Sequence, residues 1–564
     1  MQERSGHPSR GYGVVCVGEG PKEPEHNQSR PNSVATGPSQ LGSTAREIVG
    51  DIRSLLAMSM ISSSTDPDVL HGYLSDASNI PGGFAERLVA PSSHEEVVEI
   101  VRECAATGTP LTISGAGTGL AGGRSPRGGI VLDTRRLNRI GAVDVVERRV
   151  AVEPGAILRD LQSEVEAASF LYPPDPTERT CFIGGSIATN ASGARTFKYG
   201  PTRHYVRGLR VVLANGDTLQ LQRGQASARN GQLELRTEEG RAIAVPVPTY
   251  PLPATRKHAA GYYAAPGMDA VDLFVGSEGT LGVITLAELD LLPLPERLFA
   301  GLVFFPHESA TLAFVQDARG ASFATRGSGE PGIDARALEY LDGNALSLIR
   351  GAYPTIPEGA EGGAVWFEQE TSDESEEALL AGWYTLLETH GALLDESWFA
   401  MGVEDQRRLR EVRHAVPSAV YEYISEHGQT KIGTDMAVPP ERFPALLAYY
   451  REQFAATGLW TVTWGHIGDC HLHANILTRN ASELVLARAV YTRLVERALE
   501  LGGTVSAEHG IGKLKTSWLE RMYGKGGIEQ MRAVKRALDS AMLLGRGTMF
   551  APEESLEVQS SEAR

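Results

Sequence analysis

Three histidines and an aspartate crowd into Trp464–Ile476, WGHIGDCHLHANI, among residue types that favour β-strands. A second segment, AEHGIGK at Ala507–Lys513, adds Glu508 and His509. Together they offer imidazoles and carboxylates, the ligand types that Zn²⁺ and similar divalent ions prefer. Gly468-Asp469 predicts a two-residue hairpin turn, with glycine first as a type II′ turn requires. On such a hairpin His471 and His473 share one face, because strand side chains repeat every second residue. His466 then lies across from His471 and diagonal to His473, and geometry alone does not choose between these partners. Ordinary polar residues on a half-buried sheet are the plain alternative; the clustering favours metal binding or catalysis.

A cluster of this kind needs a substantial scaffold. The chain has 564 residues, too many for one core and enough for about three or four units of ordinary size. Hydrophobic residues at 42% and charged residues at 22% describe a globular chain. The formal net charge of −17 disfavours nucleic acid, whose phosphates call for clustered Lys and Arg. Cys16, Cys104, Cys181 and Cys470 form no CxxC pair, so neither an iron–sulfur ligand run nor a disulfide framework is visible. No apolar run approaches the roughly 20 residues of a spanning helix, and the start lacks a signal-peptide pattern. The expectation is a cytoplasmic protein in a reducing compartment, meeting a membrane only peripherally and through a partner.

Residues 1–40 are rich in Gly, Pro, Ser and Asn and predict a disordered segment or an over-long translated start. Helical periodicity begins near Thr44, with Ile48, Ile52, Leu55 and Leu56 on one stripe. The helix after Pro91 has Ser92 or Ser93 as its N-cap and acids in its first turn. A short strand, Pro110–Ile113, leads into SGAGTGLAGG at Ser114–Gly123. Its glycines let backbone N–H groups approach an anion closely, as a pyrophosphate needs. The loop passes into strand-like GGIVLDTRRL, so it is not a Rossmann fingerprint, and it lacks the Walker lysine.

A second run, Tyr172–Leu219, carries Pro173, Pro174 and Pro176, which fix an extended approach. The small residues Gly184-Gly185-Ser186 and Asn190-Ala191-Ser192-Gly193 follow, then a strand at Val206–Ala214 and a hairpin turn at Asn215-Gly216. A third loop, Gly276–Gly282, lies between two strands. One such loop could be an ordinary turn; three suit a large cofactor laid along a sheet edge. Beyond Leu298, amphipathic helices (373–388, 440–457, 481–501) alternate with strands (302–305, 364–369, 461–466), an α+β pattern.

In this order, SGAGTGLAGG, YPPDPTERTCFIGGSIATNASGARTFKYG, VGSEGTLGVIT and GHIGDCHLHANI resemble the motifs of the FAD-linked D-2-hydroxy-acid dehydrogenases. That group includes D-lactate dehydrogenases, D-2-hydroxyglutarate dehydrogenases and the D subunit of glycolate oxidase. The resemblance covers about residue 85 to about 552 and implies an α+β protein. It implies a two-part vanillyl-alcohol-oxidase-type FAD-binding domain and an α+β substrate cap with an antiparallel sheet. The corresponding divisions are a disordered segment (1–40), the FAD-binding domain with its N-terminal helix (41–296) and the cap with the metal site (297–520). A C-terminal helix returning to the FAD domain (521–552) and a polar tail (553–564) complete the chain.

Carried over residue by residue, Ser114, Gly115, Ala116, Gly117, Thr118, Gly119 and Leu120 hold the FAD pyrophosphate. Pro174, Asp175, Gly184, Gly185, Ser186, Asn190, Ser192, Ser277, Glu278, Gly279, Thr280 and Ile284 line the rest of the cofactor. Some relatives in the wider superfamily attach FAD through a histidine in the first loop; residues 114–123 contain none, so non-covalent FAD is expected. The resemblance makes His466, His473 and Glu508 the ligands of a divalent metal, with zinc expected, and His509 the catalytic base. It places Arg413, Lys431 and Asn475 at substrate positions.

The chain departs from the family's pattern at four places. His471 stands where relatives usually carry Asn, and Cys470 where they carry Gly, which puts an extra imidazole and a thiol beside the site and leaves the metal's identity open. Pro417 replaces a hydroxyl that some relatives offer, and Leu544-Gly-Arg-Gly-Thr replaces an Asn-Pro-Gly-Lys turn.

The implied reaction is FAD-dependent oxidation of a D-2-hydroxy acid, of the D-lactate, glycolate or D-2-hydroxyglutarate class, to the 2-oxo acid. A metal lowers the hydroxyl pKa, His509 takes the proton, and hydride passes from Cα to flavin N5. Arg413 offers a bidentate fork for the substrate carboxylate and Lys431 a second positive charge. Electrons then leave to an external acceptor: a quinone, a cytochrome, an electron-transfer flavoprotein, a separate iron–sulfur subunit or oxygen. A homodimer is compatible with this reading. Three rivals stand beside it: a flavin oxidase of another alcohol, a non-catalytic FAD-binding subunit of a larger complex, and a metallohydrolase, which needs no cofactor loops.

Overall fold

The computed structural model describes residues 61–551. The expected N-terminal segment, the helix from Thr44 and the polar tail lie outside the described residues. Four strands open the described residues: β1 (Ser62–Ser64), β2 (Arg87–Ala90), β3 (Leu111–Ser114) and β4 (Ile130–Asp133). They form a sheet in the order β1-β2-β4-β3, with β4 parallel to both β2 and β3. The helix His94–Thr107 covers it. Its buried stripe Val97, Ile100, Val101 and Cys104 repeats at helical spacing, and Ser93 caps its start by accepting from the Glu96 amide.

Eight more strands follow: β5 (Arg149–Val152), β6 (Phe170–Leu171), β7 (Val206–Val212), β8 (Thr218–Gln222), β9 (Gln232–Arg236), β10 (Ala242–Pro246), β11 (Val283–Asp290) and β12 (Leu292–Pro293). Strands β5, β11, β7 and β8 make an antiparallel sheet in that order, and the Asn215-Gly216 turn joins β7 to β8 with Gly216 at φ 82°. The three glycine-rich loops all leave the ends of these sheets: the first after β3, the second before β7, the third before β11.

The last seven strands form one antiparallel sheet in the order β16-β13-β15-β14-β18-β19-β17. They are β13 (Arg297–Phe305), β14 (Ala335–Leu341), β15 (Gly363–Thr371), β16 (Trp398–Ala400), β17 (Ile432–Gly433), β18 (Trp460–Gly465) and β19 (His473–Leu477). Long helices Glu308–Ser328, Glu376–Thr389, Val403–Glu426, Phe443–Thr457 and Ala481–Glu500 surround it. The sheet's two faces pack separate cores: Leu302, Phe304, Ala364 and Trp366 on one, Val303, Phe305, Val365 and Phe367 on the other. This is the period-2 alternation of a sheet covered on both faces.

The final helix runs Thr516–Leu538, starting before and ending well short of the 521–552 expected for it, and Gly524 breaks it with φ 68° and ψ 170°. Lys535 ends it by donating to the carbonyls of Thr280 and Leu544 and to Asp539. The chain beyond then lies along β3, with Leu111 bonded to Leu543 and Gly545.

Charged pairs tie the second loop region to the large sheet. Arg195 donates from Nε to Glu368 on β15 at 3.0 Å, and Lys198 meets Glu370 and Asp334, each at 2.8 Å. Tyr199 also donates to Glu370. Glu368 is 1% exposed and takes Arg336 and Arg410 as further partners. Burial pushes its carboxyl upward, but the three guanidiniums outweigh burial and hold it at about 2, against an ordinary 4.5. A folded-state value below the unfolded one contributes stability that is complete above pH ~4.5 and is lost as pH falls from there towards 2. Glu368→Gln removes that acid-side loss and takes their nearest counter-charge from half-buried Arg195 and buried Arg336, leaving Arg195 only Asp175 at 3.6 Å. It should lower unfolding stability by about 3–5 kcal/mol at pH 7. Urea midpoints of wild type and variant at pH 7 and pH 3.5 decide this; a gap between them that does not shrink at the lower pH would show that Glu368 carries no such load.

Candidate active site

The hairpin that carries the histidines is wider than its Gly468-Asp469 pair suggests. Strands β18 and β19 pair through Trp464 and His473, and residues 465–472 connect them through a 3₁₀ turn at Ile467–Asp469. Cys470 closes it in the left-handed region at φ 56°. Tertiary contacts decide this shape. The Asp469 carboxylate is drawn to Arg256 Nε at 2.7 Å, and Arg319 donates to the Gly468 carbonyl at 2.8 Å. Gly468 packs so closely that a Cβ would sit 2.9 Å from the Phe197 ring. A two-residue turn cannot make those contacts.

The wider connection swings His471 off the strand, and all three rings converge on one point. His471 lies with ring centroids 4.7 Å from His473 and 5.6 Å from His466, and His466 and His473 are 5.5 Å apart. Both readings of the hairpin pairing are thus too narrow: His466 faces both partners. Glu508 enters from the AEHGIGK segment, with Oε1 3.0 Å from His473 Nε2 and Oε2 3.3 Å from His466 Nε2. One ligand atom from each of His466, His471, His473 and Glu508 lies within 4.8 Å of all the others. Burial raises the Glu508 carboxyl, but Lys257 and His466 outweigh it and keep it ionised, well below the usual range. An ionised carboxylate among imidazoles is a donor set that fits a divalent ion of the zinc type.

Acceptors fix the outer nitrogens of these rings. His466 Nδ1 lies 2.6 Å from Glu339 Oε1, and His473 Nδ1 3.2 Å from the Thr434 carbonyl. Burial lowers the His466 pKa, but Glu339 outweighs it and raises it to about 9. His471, fully buried, is held near 4 by burial and is neutral.

The AEHGIGK segment is itself held by two carboxylates, the buried Asp435 and the half-buried Glu278. Asp435 accepts from the amides of Glu508 and His509, each at 3.1 Å, from Ser506 at 2.6 Å and from Lys515 at 2.5 Å. Glu278 of the third glycine-rich loop accepts from the Ile511 and Gly512 amides at 2.8 and 2.7 Å. Gly512 has φ 52°, and its Cβ position is 1.9 Å from the carbonyl of Ala121 in the first loop, so only glycine fits. Lys513 donates to Gly123 at 3.1 Å. From the second loop, Ser192 donates to Glu508 at 3.2 Å. The three loops therefore meet the metal-type cluster at this one segment.

His509 points back over that cluster. Its ring stacks on His473 with centroids 5.3 Å apart and planes at 9°, and its Nδ1 is 3.4 Å from Asp435. Burial, reinforced by Lys515, lowers its pKa to about 3 against the pull of Asp435 and Glu508, so the ring is neutral.

Arg413 is buried and already has a partner. Its Nε and Nη2 donate to Glu339 at 3.0 and 2.8 Å, and Nη1 donates to Thr177 at 2.9 Å. Glu339 thereby links Arg413 to His466. The helix Val403–Glu426 that carries Arg413 contains Pro417, whose missing N–H leaves the Arg413 carbonyl without its helical donor. Asn475, fully buried on β19, donates to the His473 carbonyl while its Oδ1 has no partner among the described residues. Lys431 lies over the Tyr421 ring, 4.7 Å from its centroid, and no contact joins it to the cluster among the described residues.

The cofactor-type residues divide by what they do. The amides of Ala116, Gly117, Thr118 and Gly119 find no protein acceptor among the described residues, although the loop is mostly half-buried. Such a row of unpaired amides fits a pyrophosphate. Ser114 is buried at the end of β3, and Gly115 and Gly185 have open space at their Cβ positions. Leu120, half-buried, follows the exposed Gly119 at the end of that row. Asn190 and Glu278 both take left-handed backbones, at φ 49° and 51°, while Gly184 packs on Pro154. Other side chains have structural partners: Ser186 lies 3.3 Å from Cys181 Sγ, Asp175 accepts from the Arg195 amide, and the Pro174 carbonyl accepts from Gln162. Thr280 is bonded to Tyr262, Gly279 packs on Ile113, Ser277 is buried, and Ile284 pairs with Val211 in β11.

Comparison with known proteins matches both parts of the chain. Residues 85–222 match the pattern described as "FAD binding domain", and residues 306–549 match "FAD linked oxidases, C-terminal domain". The chain is 31% identical over 486 residues to glycolate oxidase subunit GlcD of Bacillus subtilis, covering 85% of this chain and 92% of that one. It belongs to the FAD-linked 2-hydroxy-acid dehydrogenase family. The D-2-hydroxyglutarate dehydrogenase of Xanthomonas citri is 30% identical, with 83% of this chain and 90% of that protein covered. A D-lactate dehydrogenase of Anaerostipes hadrus is 29% identical, over 82% and 89%. The crystal structure of p-cresol methylhydroxylase matches with TM-score 0.64 over 90% of this chain and 97% of that one, at 15% identity. The fold is thus the vanillyl-alcohol-oxidase type, and this family member is an FAD-linked oxidoreductase of the D-lactate, glycolate and D-2-hydroxyglutarate dehydrogenase type. No described helix is long and apolar enough to cross a membrane.

Four residues of the site escaped the sequence reading: Glu339, Asp435, Lys257 and Ser506. Lys257 is fully buried and donates to Glu508 at 3.1 Å and to the Gly193 carbonyl at 2.9 Å. Only Glu339 carried a signal. It sits in ARALEYL, a strand buried at every position, where a charge has to be paired.

Proposed function

We propose that this FAD-linked oxidoreductase oxidises a D-2-hydroxy acid to the 2-oxo acid with the help of a divalent ion. The observation that carries this reading is the convergence of His466, His473 and Glu508 beside a neutral His509, at the segment where the three glycine-rich loops meet. FAD supplies a two-electron acceptor, and a divalent ion held by His466, His473 and Glu508 supplies a Lewis acid that makes a hydroxyl easier to deprotonate. His509, neutral and aligned by Asp435, takes the hydroxyl proton. Arg413 holds the substrate carboxylate with the N–H groups that Glu339 and Thr177 leave to it, and Asn475 adds its unpaired Oδ1 as an acceptor. Ala116–Gly119 bind the pyrophosphate through their amides, and with no histidine in that loop FAD stays non-covalent. Residues 297–520 act as the substrate cap. A separate acceptor takes the electrons; one relative is named a cytochrome-linked D-lactate dehydrogenase, from Arabidopsis thaliana.

Two measurements test the reading. Flavin absorbance should bleach on anaerobic addition of D-lactate, glycolate or D-2-hydroxyglutarate; a flavin that all three leave oxidised points to another alcohol or to a passive subunit. His473→Ala should lose most of its metal and its turnover while keeping FAD, since the cofactor loops are built from other residues. Metal analysis and flavin content of the purified variant check this, and unchanged metal with unchanged turnover would remove His473 from the site.

A further inference from the structure

We propose that His471 is a fourth protein ligand, through Nδ1, so that this chain builds a three-histidine, one-carboxylate site. The inference rests on the divalent-ion reading and concerns a residue that the family's pattern does not supply. His471 is 0% exposed, its Nδ1 has no hydrogen-bond partner among the described residues, and its Nε2 meets only the Asp435 carboxylate, in a loose contact. A buried imidazole nitrogen left unpaired is costly unless something else engages it.

The directions of those nitrogens show what could. Nδ1 faces Glu508 Oε2 at 3.9 Å, and Nε2 faces Asp435 Oδ1 at 3.3 Å, outside hydrogen-bond geometry. This repeats the pattern of the other two rings. His466 turns Nε2 to Glu508 and Nδ1 to Glu339, and His473 turns Nε2 to Glu508 and Nδ1 to the Thr434 carbonyl. Each ring has one nitrogen towards the shared centre and the other towards an acceptor, the arrangement that fixes tautomer and orientation in metal-binding histidines. In His471 the two nitrogens exchange roles because its backbone sits in the connection rather than on β19. The αL turn at Cys470 aims the ring inward from that side.

A third imidazole has a chemical consequence. Three nitrogens and one oxygen favour Zn²⁺ over oxygen-seeking ions such as Mn²⁺ and Mg²⁺, and the extra ligand slows metal loss. Asparagine, where it stands there in the family's pattern, offers only an amide oxygen and weakens that preference.

X-ray absorption on the zinc-loaded, FAD-containing full chain counts imidazoles directly and needs no variant. Three per zinc are expected in wild type and two in His471→Asn. Chelator competition should show at least about 10- to 100-fold weaker Zn²⁺ binding by His471→Asn, the loss typical of even an outer partner, with a smaller Zn²⁺-over-Mn²⁺ preference. Two imidazoles in wild type, or equal zinc affinity in folded, FAD-loaded His471→Asn, overturns the inference and leaves His466, His473 and Glu508 as the site. A wild-type protein that binds no zinc removes the metal reading itself.

Discussion

His509→Asn should slow anaerobic flavin reduction by about 10²–10⁴-fold, the usual share of a general base. FAD and metal content should stay near wild type, because the ring contributes neither to the glycine-rich loops nor to the four converging ligand atoms. The geometry makes this a clean test. Asp435 binds the backbone amide of His509 as well as approaching its Nδ1, so the main chain stays in place when the ring is exchanged. Asparagine can keep one contact to Asp435 but cannot accept and carry a proton. Stopped-flow reduction by the best hydroxy acid is the measurement. Reduction at the wild-type rate would pass the proton to another group.

Arg413→Lys should lower kcat/KM by about 30- to several-thousand-fold, the equivalent of about 2–5 kcal/mol for a charge-assisted pair in a desolvated site. The structure sharpens this expectation. Arg413 braces Glu339, which in turn orients His466, and also bonds Thr177, so a guanidinium is needed whose several N–H groups can serve these partners and a substrate together. A lysine ammonium lacks that planar fork and can satisfy only part of it. The readouts separate the two roles. A rise in KM at normal metal content places Arg413 on the substrate, whereas metal loss at unchanged KM makes it a positioning residue for His466. A lysine variant within about threefold of wild type would make it a bystander.

Much of this was legible in the chain. Repeated Gly, Ser and Asn mark loops whose backbone must come close to something, because composition directly reports backbone freedom. The helix His94–Thr107, its Ser93 cap and the β7–β8 hairpin follow from local periodicity and turn chemistry, and the structure places them within a few residues of expectation. The final helix was displaced because Gly524 interrupts rather than ends it, and because Lys535 and Asp539 stop it before the apolar Leu543-Leu544. The hairpin was misread for a related reason: Gly468-Asp469 has ideal local chemistry for a tight turn, but Arg256, Arg319 and Phe197 act on it from outside the segment.

The sequence by itself determined the ligand types, the order of the loops and the family, since these are properties of residue identity and short-range spacing. Only the tertiary structure decided which atoms meet. Lys257 reaches Glu508 across 251 residues of chain, Arg413 reaches Glu339 across 74, and Asp435 holds His509 across 74. Those pairings depend on packing between sheets and loops far apart in sequence, and no local pattern encodes them. The same holds for His471: its presence is a single letter, but the direction of its nitrogens is set by a left-handed turn and by two carboxylates from elsewhere in the chain.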